Sequence, residues 1–412
     1  MTKHLMLIFI CLLASVNLHG QSKITIEITS SSEMRMSGVL LFEGKKGLFI
    51  EEFSSQLAKD LNNSDWLDIK DIIFKETTAI QSEIDMVFAK YNARVLIVCR
   101  IKDKMEIAVY DTFDRSFLFE FRKDIGKSPI VLAHAVCDEI IYRLTGKPGI
   151  ASSKILYVNQ KNDTYNIMMA DYDGSNAISI LSANYIINYP RWFPGMKKIV
   201  FLSYRNTFPS LELLDLKTGQ IETFIAEPGL NACISFFTDQ DAAAVVLSRS
   251  GNPDLYIVNL KGNIIRRITE KKGLNASPSV SPDGKSIAFV SDRDGKTRLW
   301  VMDPYGLNTR KPDIPSNYIT SPCWSPDGRY LAYAVRYGRE MFIEVYDWKT
   351  GERRILTKNI SWSDAPAWAP DSRHILFTRQ EKYIKSLWVV DMISLRMKKI
   401  TDNSWSGCWA IR

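Results

Sequence analysis

Two histidines are the side chains of this 412-residue chain best suited to acid–base chemistry once the first 20 residues are set aside. His134 and His374 stand far apart in the sequence, and neither has a nucleophile at a matching position. A serine hydrolase needs a G-x-S-x-G elbow and an acid beside its histidine, and a zinc enzyme needs closely spaced ligands such as H-E-x-x-H. The sequence contains neither motif. We therefore expect both histidines to be structural and the protein to have no catalytic residues.

Two aspartate pairs have the spacing of calcium ligands. Asp171 and Asp173 are followed by a glycine, and so are Asp292 and Asp294. Both pairs lack the downstream glutamate of an EF-hand loop, and both lie where a turn between strands is expected. We interpret them as turns and expect neither a metal ion nor a cofactor.

The cysteines give no chemical signature. Five remain once Cys11 is removed with the N-terminal leader, an odd number without any C-x-x-C spacing. Cys99 lies in an apolar, strand-like run and Cys137 in a helical one. We expect all five to be small buried hydrophobic residues and predict no disulfide, although an oxidising compartment permits one.

An internal repeat predicts most of the strands that would position a functional site. Its clearest copy covers residues 321–328, and the copies align on positions 190, 234, 278, 322 and 366, so each successive difference is 44 residues. The copies at 190 and 234 are degraded. A period of this length with about four strand-sized runs per unit predicts a β-propeller.

One copy shows how the unit should fold. Pro322 can open a strand where no backbone donor is needed, and Trp324 supplies a large apolar face. Residues 326–328 have the chemistry of a tight turn, because proline presets φ, aspartate bonds its own backbone and glycine accepts positive φ. Residues 330–335 and 342–346 then predict two further strands, and a short outer strand completes the unit.

The first blade is composite in this prediction. It has three strands of its own, at residues 154–160, 165–171 and 177–181. It lacks an innermost strand, but residues 407–411 resemble one, and Trp409 follows Trp368 by 41 residues, close to the repeat period. We expect this C-terminal strand to join the first blade, which removes an exposed edge and closes a ring of six blades.

The N-terminal part of the chain has a different pattern. Residues 1–20 resemble a secretory signal, with Lys3 before an apolar run that is short for a membrane span. Residues 21–148 mix strand and helix patterns, which predicts a compact α/β domain, and residues 149–412 form the propeller. The expected strands are 38–42, 94–101, 105–110 and 117–121, and the expected helices are 48–61, 80–91 and 128–144.

The charge of the chain is mild. The formal net charge is +7, and it becomes +6 when Lys3 is removed with the leader. These charges are spread along the chain, so a nucleic-acid surface is not expected.

The order of leader, small α/β domain and six-bladed propeller resembles the TolB family, the periplasmic components of the Tol-Pal envelope system. The most specific match is residues 133–146, which look like the family's helix with the pattern A-H, D, I-Y and L-T-G, and residues 155–158 resemble the strand that follows it. Residues 23–28 resemble the segment that opens the mature proteins, and residues 38–42 are similar to the first buried strand. The resemblance covers nearly the whole mature chain.

The resemblance implies a non-catalytic periplasmic scaffold that links inner-membrane Tol proteins to the peptidoglycan-associated lipoprotein Pal, for outer-membrane integrity and cell division. The N-terminal segment would capture the inner-membrane partner TolA by main-chain pairing. Its residues are Lys23, Ile24, Thr25, Ile26, Glu27 and Ile28. An ordinary edge strand of the α/β domain is the alternative for this segment.

A second surface is implied at the rim where the chain enters each innermost strand. This rim would receive Pal, with other envelope lipoproteins as further partners. Its matching positions are Asn188, Tyr189, Asn231, Ala232, Asn275, Ala276, Ile319, Thr320, Ser363 and Asp364. Taken singly, each position is more simply a solvated turn residue, so the prediction depends on the ring of loops as a whole. The protein would be a monomer that reaches membranes only through its partners.

Two other classes stay open on the sequence alone. One is a secreted propeller that binds or cleaves a peptide or a saccharide in its central channel, since the Ser-Pro-Asp-Gly repeats also resemble those of prolyl oligopeptidase-like enzymes. The other is a lectin-like or adhesive propeller without a Tol partner. The repeated tryptophans could stack on sugars, but their fixed place in each repeat favours packing between blades. They are Trp192, Trp324, Trp368 and Trp409.

Overall fold

A computed structural model of the chain describes residues 35–270, 273–316, 318–358, 360 and 362–410. Within them the chain forms an N-terminal α/β domain followed by a six-bladed β-propeller, as the sequence predicts. The elements of the N-terminal domain are β1 (Met36–Glu43), α1 (Leu48–Asn63), β2 (Leu67–Lys75), α2 (Ile80–Tyr91), β3 (Val95–Ile101), β4 (Met105–Asp111), β5 (Ser116–Lys123) and α3 (Pro129–Thr145).

The N-terminal sheet is mixed and has helices on both faces. Its strand order is β2-β1-β3-β4-β5, with β1 parallel to β2 and β3 and the remaining pairs antiparallel. In β1, Leu40 and Phe42 pack in the cluster that contains α1 and α3, while Val39 and Leu41 pack in the cluster that contains α2. Burial on both faces explains why the central strands read as continuous apolar runs rather than as alternating ones.

Helix α3 begins and ends where its sequence predicts. The Ser128 side chain accepts the N–H of Val131, Pro129 stands at the first helical position, and Gly146 closes the helix with a φ of 71°. The proposed domain boundary at residues 148 and 149 falls in the connection that follows, and it stays a prediction. None of the helices in the described part of the chain is long and apolar enough to cross a membrane.

The propeller has four-stranded blades, except for blade four. Blade one contains β6 (Lys154–Lys161), β7 (Thr164–Asp171) and β8 (Ile178–Ala183). Blade two contains β9 (Ile187–Trp192), β10 (Lys198–Ser203), β11 (Ser210–Asp215) and β12 (Ile221–Ile225), and blade three contains β13 (Asn231–Phe236), β14 (Ala242–Leu247), β15 (Asp254–Asn259) and β16 (Ile264–Arg267). Blade four contains β17 (Asn275–Val280), β18 (Ile287–Ser291) and β19 (Arg298–Met302).

The last two blades and the closing strand complete the ring. Blade five contains β20 (Ile319–Trp324), β21 (Tyr330–Tyr337), β22 (Glu340–Asp347) and β23 (Arg353–Ile355), and blade six contains β24 (Ser363–Trp368), β25 (His374–Glu381), β26 (Ile384–Asp391) and β27 (Met397–Asp402). Strand β28 (Ser404–Trp409) joins blade one, where Trp409 pairs with Ile155. The predicted closure by the C-terminal strand is therefore confirmed.

Glycine is required at one position of the closing strand. Gly407 takes the place of the proline of the repeat, and a Cβ atom there would lie 2.4 Å from the side chain of Leu376 and 3.0 Å from that of Leu387. The absence of a side chain allows β28 to pack closely against blade six. This close approach explains why the sixth copy of the repeat departs from the others at this position.

The repeated tryptophan packs between blades. Trp368 of blade six is fully buried, stacks on Tyr330 of blade five with 6.1 Å between ring centroids, and donates its Nε1–H to the carbonyl of Cys323 at 2.9 Å. The indole thus fills an apolar seam and also satisfies its single polar group. The packing interpretation of this tryptophan is confirmed.

The two faces of the propeller have different neighbours. Adjacent strands of a blade are antiparallel, so the turns after first and third strands lie on one face, and the loops that enter those strands lie on the other. The N-terminal domain contacts the first face, through the turns at residues 171–173, 371–374 and 391–396. We term this the near face and the opposite one the far face. The predicted rim lies on the far face.

Candidate functional site

The innermost strand of every blade carries the same irregularity on the far face. The residue before the proline position has a left-handed backbone in all six blades, with φ between 48° and 53°. The six residues are Tyr189, Cys233, Ser277, Ser321, Ala365 and Ser406. The pairing register shifts at each of these points, as at a β-bulge. A left-handed residue other than glycine costs about 1–2 kcal/mol, so its repetition marks a conformation that the channel mouth requires.

Five of the ten predicted rim residues are buried, and their role in partner contact stays a prediction. They are Asn231, Ala232, Asn275, Ile319 and Ser363. Each still pairs with the second strand of its blade, ahead of the bulge, and is therefore covered by its own loop. Asn231 shows the result: its amide donates to the carbonyls of Pro209 (2.9 Å) and Glu227 (2.7 Å), and its Oδ1 accepts the N–H of Glu227 (2.9 Å). These residues shape the rim from beneath.

The other five predicted rim residues are half-buried or exposed at the channel mouth. They are Asn188, Tyr189, Ala276, Thr320 and Asp364. Hydrogen bonds link neighbouring blades here, since Thr320 Oγ1 donates to Asp364 Oδ1 at 3.2 Å and Trp405 Nε1 donates to Asn188 Oδ1 at 3.1 Å. Asn188 and Tyr189 stand one position later in their repeat than the other pairs. The structure gathers these residues at one mouth, and partner binding there stays a prediction.

A second polar cluster, which the sequence analysis did not predict, joins the two domains on the near face. At its centre is the buried Asp60 of α1, whose Oδ1 accepts the hydroxyl of Tyr172 at 2.9 Å and whose Oδ2 lies 2.7 Å from His134 Nδ1. The amide of Asn63 donates to the Tyr172 hydroxyl at 2.8 Å, so this phenol is both donor and acceptor. Helices α1 and α3 therefore hold the propeller turn that follows β7.

Asp65 forms the other half of this domain junction. It follows α1 with a left-handed φ of 56° and is buried. Arg373 Nη2 donates to its carbonyl at 2.9 Å, Arg396 Nη1 donates to Oδ1 at 2.6 Å, and His374 Nε2 lies 3.4 Å from Oδ2. One residue of the N-terminal domain thus receives three basic side chains from blade six.

Charge pairing controls the protonation of this junction. Burial alone would lower the pKa of His374, but the carboxylates of Asp371, 2.6 Å from its Nδ1, and of Asp65 raise that pKa to about 10. Burial alone would raise the pKa of Asp391, but the guanidinium of Arg373 and the charge of His374 lower it to about 2. The pKa of His134 is also raised, because Asp60 outweighs the effect of burial. We infer that His374 and Asp391 are charged at neutral pH.

The junction also fixes the connection between the domains. Asp138 of α3 accepts the N–H groups of Ala151 (2.8 Å) and Ser152 (3.0 Å) through its two carboxylate oxygens. A Cβ atom at Gly149 would lie 2.3 Å from Asp138 Oδ1, so the connection passes too close for a side chain. The most specific motif of the sequence therefore has a structural meaning: Asp138 holds the connection, and His134 binds Asp60 and packs edge-on against Tyr172 of the propeller.

The charged side chains at the junction bind one another across the two domains rather than forming a reaction centre. Ligand atoms of Asp65, His374 and Asp391 lie within 4.8 Å of one another, a grouping that could hold a metal ion. Arg373 and Arg396 already bind the two carboxylates, so a divalent cation would have to displace both guanidinium groups. The aspartate pair at Asp171 forms a turn, as predicted, with the N–H of Gly174 bonded to the Asp171 carbonyl.

The predicted TolA-binding segment is not part of this geometry. Lys23–Ile28 lie outside the described residues, as does the predicted signal at residues 1–20. Both remain predictions.

Known proteins share this arrangement. The family model of the TolB beta propeller domain matches residues 141–407, more than half of the chain. The crystal structure of TolB from Acinetobacter baumannii superposes with a TM-score of 0.79 at 24% identity, over 94% of this chain and 99% of that one, which shows the fold.

Curated relatives match shorter stretches. A Tol-Pal system protein TolB of Blochmanniella pennsylvanica (strain BPEN) is 28% identical over 200 residues, which is 45% of this chain and 44% of the relative. That of Alcanivorax borkumensis is 35% identical over 124 residues, 29% of each chain. The chain thus aligns with less than half the length of these relatives.

The fold and its two faces define a class: a six-bladed propeller with an α/β domain locked to one face and an open channel mouth on the other. The match to the family model identifies the chain further. It belongs to the TolB family.

Proposed function

We propose that this protein is a non-catalytic scaffold of the Tol-Pal system in the periplasm. In this proposal the far-face rim binds a peptidoglycan-associated lipoprotein of the Pal type, and the N-terminal segment, residues 23–28, binds TolA. The protein then links the inner membrane to the peptidoglycan layer and supports outer-membrane integrity and cell division. The leader at residues 1–20 would direct its export.

The observation that carries the proposal is the extent of the family match. Residues 141–407 run from the end of α3, through the connection held by Asp138, to the closing strand β28. The match therefore includes the end of α3 and the connection that follows it, as well as the propeller. Curated relatives that match parts of the chain are Tol-Pal system proteins.

The interactions of the two histidines with buried aspartates support a non-catalytic role. His134 is hydrogen-bonded to Asp60, and His374 lies between Asp371 and Asp65. A general base must be within reach of the proton that it removes. Both rings are instead buried in the domain junction, where a substrate would have to separate the domains to reach them.

A pull-down from envelope extract tests the proposal. The full mature chain is the bait, beside a variant that lacks residues 21–33 and a variant with Thr320→Arg on the rim. We expect the full chain to capture both TolA and the Pal-type lipoprotein, the deletion to lose TolA alone, and Thr320→Arg to lose the lipoprotein alone. Thr320 is chosen because it is half-buried at the mouth, whereas the buried Asn275 would disturb the loop itself.

The deletion and the rim variant control each other, since each should keep the partner that the other loses. Failure of the full chain to capture either partner would contradict the proposal. Loss of both partners in both variants, with a lowered melting temperature, would show misfolding rather than partner specificity.

A further inference from the structure

Arg191 departs from its equivalents in the repeat. It stands between the proline and the tryptophan of the innermost strand of blade two, a position where the other blades carry small residues. These are Ser235, Ser279, Cys323, Ala367 and Cys408. Ser279 shows the usual role of the position, because its Oγ accepts the N–H of Trp324 in the next blade at 3.0 Å. Arg191 is the one charged side chain among the six equivalent positions.

The guanidinium of Arg191 has no carboxylate partner within the described residues. Its Nη1 donates to the carbonyl of Pro190 at 2.9 Å. Arg205, which lies on the far face of the same blade, is paired instead with Glu212 at 3.0 Å. Arg191 is half-buried, and a partly desolvated guanidinium favours bidentate binding of a carboxylate.

The position of this cation is central in the ring. Burial raises the pKa of the thiols of Cys408, Cys233 and Cys323, and in all three the charge of Arg191 opposes the rise. These cysteines belong to blades one, three and five, so the guanidinium of blade two lies close to residues from around the ring. Arg191 also belongs to the innermost strand of its blade, β9, so it lies beside the central channel rather than in the outer wall.

An apolar patch adjoins Arg191 on the far face of blade two. Its large side chains are between 38% and 55% exposed, and they are Ile186, Tyr189, Tyr204 and Phe208. The N–H of Tyr204 donates to the carbonyl of Ile186 at 2.9 Å, so the two loops that carry the patch are joined. Tyr189 is two residues before Arg191 in the same strand. Apolar anchors around a desolvated charge are the usual composition of the centre of a protein interface.

We propose that blade two is the centre of the far-face binding surface, and that Arg191 receives the carboxylate of an acidic side chain on a loop of a protein partner. Apolar side chains beside that acid pack on Ile186, Tyr204 and Phe208. The inference deepens the proposed function and rests on it, because it names the chemistry that the lipoprotein must present. Charge complementarity selects the occupant: an unpaired guanidinium among apolar groups fits an acidic loop better than a neutral saccharide.

Asp364, the one acidic residue among the ten predicted rim residues, does not compete for this role. Asp364 accepts the hydroxyl of Ser321 at 3.0 Å and the N–H of Ala365 at 2.6 Å, and it forms no ion pair among the described residues. Its hydrogen bonds are satisfied within blades five and six. The charge of Arg191 is thereby left available to an incoming carboxylate.

Calorimetric titration with the soluble domain of the Pal-type lipoprotein from the same cell tests the inference on the full mature chain. We expect Arg191→Gln to weaken binding at least about tenfold, the usual loss for a hydrogen bond to a charged group. Arg339→Gln is the matched control, because it removes the same charge from an exposed far-face turn of blade five. We expect it to change the affinity less than about threefold, since exposed charges contribute little.

Two further variants separate the carboxylate contact from the apolar one. Arg191→Lys keeps the charge and loses the planar fork, so an intermediate affinity is expected. Phe208→Ala should weaken binding about tenfold, while Tyr383→Ala should not, although Tyr383 is 98% exposed on the far face of blade six. This pair tests whether the apolar contact is confined to blade two.

The outcomes distinguish this inference from the proposed function. Binding by the unsubstituted chain with equal affinity for Arg191→Gln would overturn the role of Arg191 and leave the proposed function standing. No binding by the unsubstituted chain would overturn both. If Arg191→Gln does not fold, the affinity of Arg191→Lys relative to Arg339→Gln decides the question, and equal values would overturn the inference.

Discussion

Arg373, in the turn just before β25, and Arg379, near the other end of that strand, show how the faces of the propeller differ. On the near face, Arg373 is buried, donates to both oxygens of Asp391, and reaches across the domain junction to the carbonyl of Asp65. On the far face, Arg379 is half-buried and pairs with Glu381, a mostly exposed neighbour two residues away.

The difference teaches what each face is built for. A buried ion pair holds its geometry only while every partner is present, so the near face fixes one arrangement of the two domains. On the far face, Arg379 pairs with the exposed Glu381 and Arg191 has no carboxylate partner within the described residues, so these two cations can exchange solvent for a partner. The far-face carboxylates Glu212 and Asp254 are buried, but their partners Arg205 and Arg267 stay partly exposed. The far face thus keeps partly exposed cations, whereas the near face buries Arg373 and His374 between the domains.

The largest effect is expected from removing Arg373. Arg373→Ala leaves Asp391 buried without its cation and should lower the free energy of unfolding by about 3–5 kcal/mol. Arg379→Ala, in the strand that follows Arg373, is the control, with an expected loss of about 0–1 kcal/mol. Urea unfolding of both variants measures the difference. Equal losses would remove the distinction between the faces.

A smaller effect is expected from Asp65→Asn. The substitution removes the charge that faces Arg396 and His374 but keeps the carbonyl that accepts from Arg373, so we expect a loss of about 1.5–3 kcal/mol. Asp68→Asn is the control, because Asp68 is exposed beside Lys70 on the same domain and should cost less than about 1 kcal/mol. Thermal unfolding with each variant checks the order. Equal melting temperatures for the two variants would show that the side-chain contacts of Asp65 contribute little to stability.

The pH dependence of stability should follow His374. Its folded-state pKa of about 10 lies above the ordinary value of 6.5, so its contribution is complete below pH 6.5 and is lost as the pH rises through 10. We expect the unfolding free energy to fall by about 2–3 kcal/mol between pH 7 and pH 9, and the fall to be absent in His374→Gln. Parallel pH profiles for the two proteins would contradict this assignment.

The smallest effect is expected at the far-face mouth. Thr320→Val keeps the shape of the side chain and removes the hydrogen bond to Asp364 between blades five and six, which should cost about 0.5–1.5 kcal/mol. Chemical unfolding measures it against Arg373→Ala. A loss as large as that of the near-face variant would show that the mouth, too, is part of the structural framework.

Most of the propeller could be predicted from the sequence because its information is local and repeated. The turn at residues 326–328 forms as its residue types indicate: the Gly328 N–H bonds the Ser325 carbonyl, and Asp327 accepts from Ser325 and Arg329. The spacing of 44 residues located even the degraded strands β9 and β13. Helix α3 was equally predictable, since its capping residues are contiguous with it.

The domain junction could not be predicted because its partners are distant in sequence. Asp60 meets Tyr172 across 112 residues, and Asp65 meets Arg396 across 331. Taken singly, an aspartate after a helix and an arginine in a turn are ordinary surface residues. Only the docking of two separately folded domains turns them into a buried network.

Two further features could not be predicted from the sequence, each for a local reason. Strand β2 was not predicted because it is an edge strand in which only Leu67 is buried, so its apolar pattern is weak. The burial of Asn231 and Asn275 was missed because the bulge that follows them is not encoded by glycine. Arg191, by contrast, was visible in the repeat alignment as the only long charged residue at its position.

Hydrogen exchange of the backbone with and without the soluble domain of the Pal-type lipoprotein tests the separation of the two faces most directly. We predict that the partner slows exchange in the far-face loops, above all at residues 186–189 and 204–209 of blade two, and leaves the near-face turns at residues 371–374 and 391–396 unchanged. Protection confined to the near-face turns, or spread equally over both faces, would contradict the account.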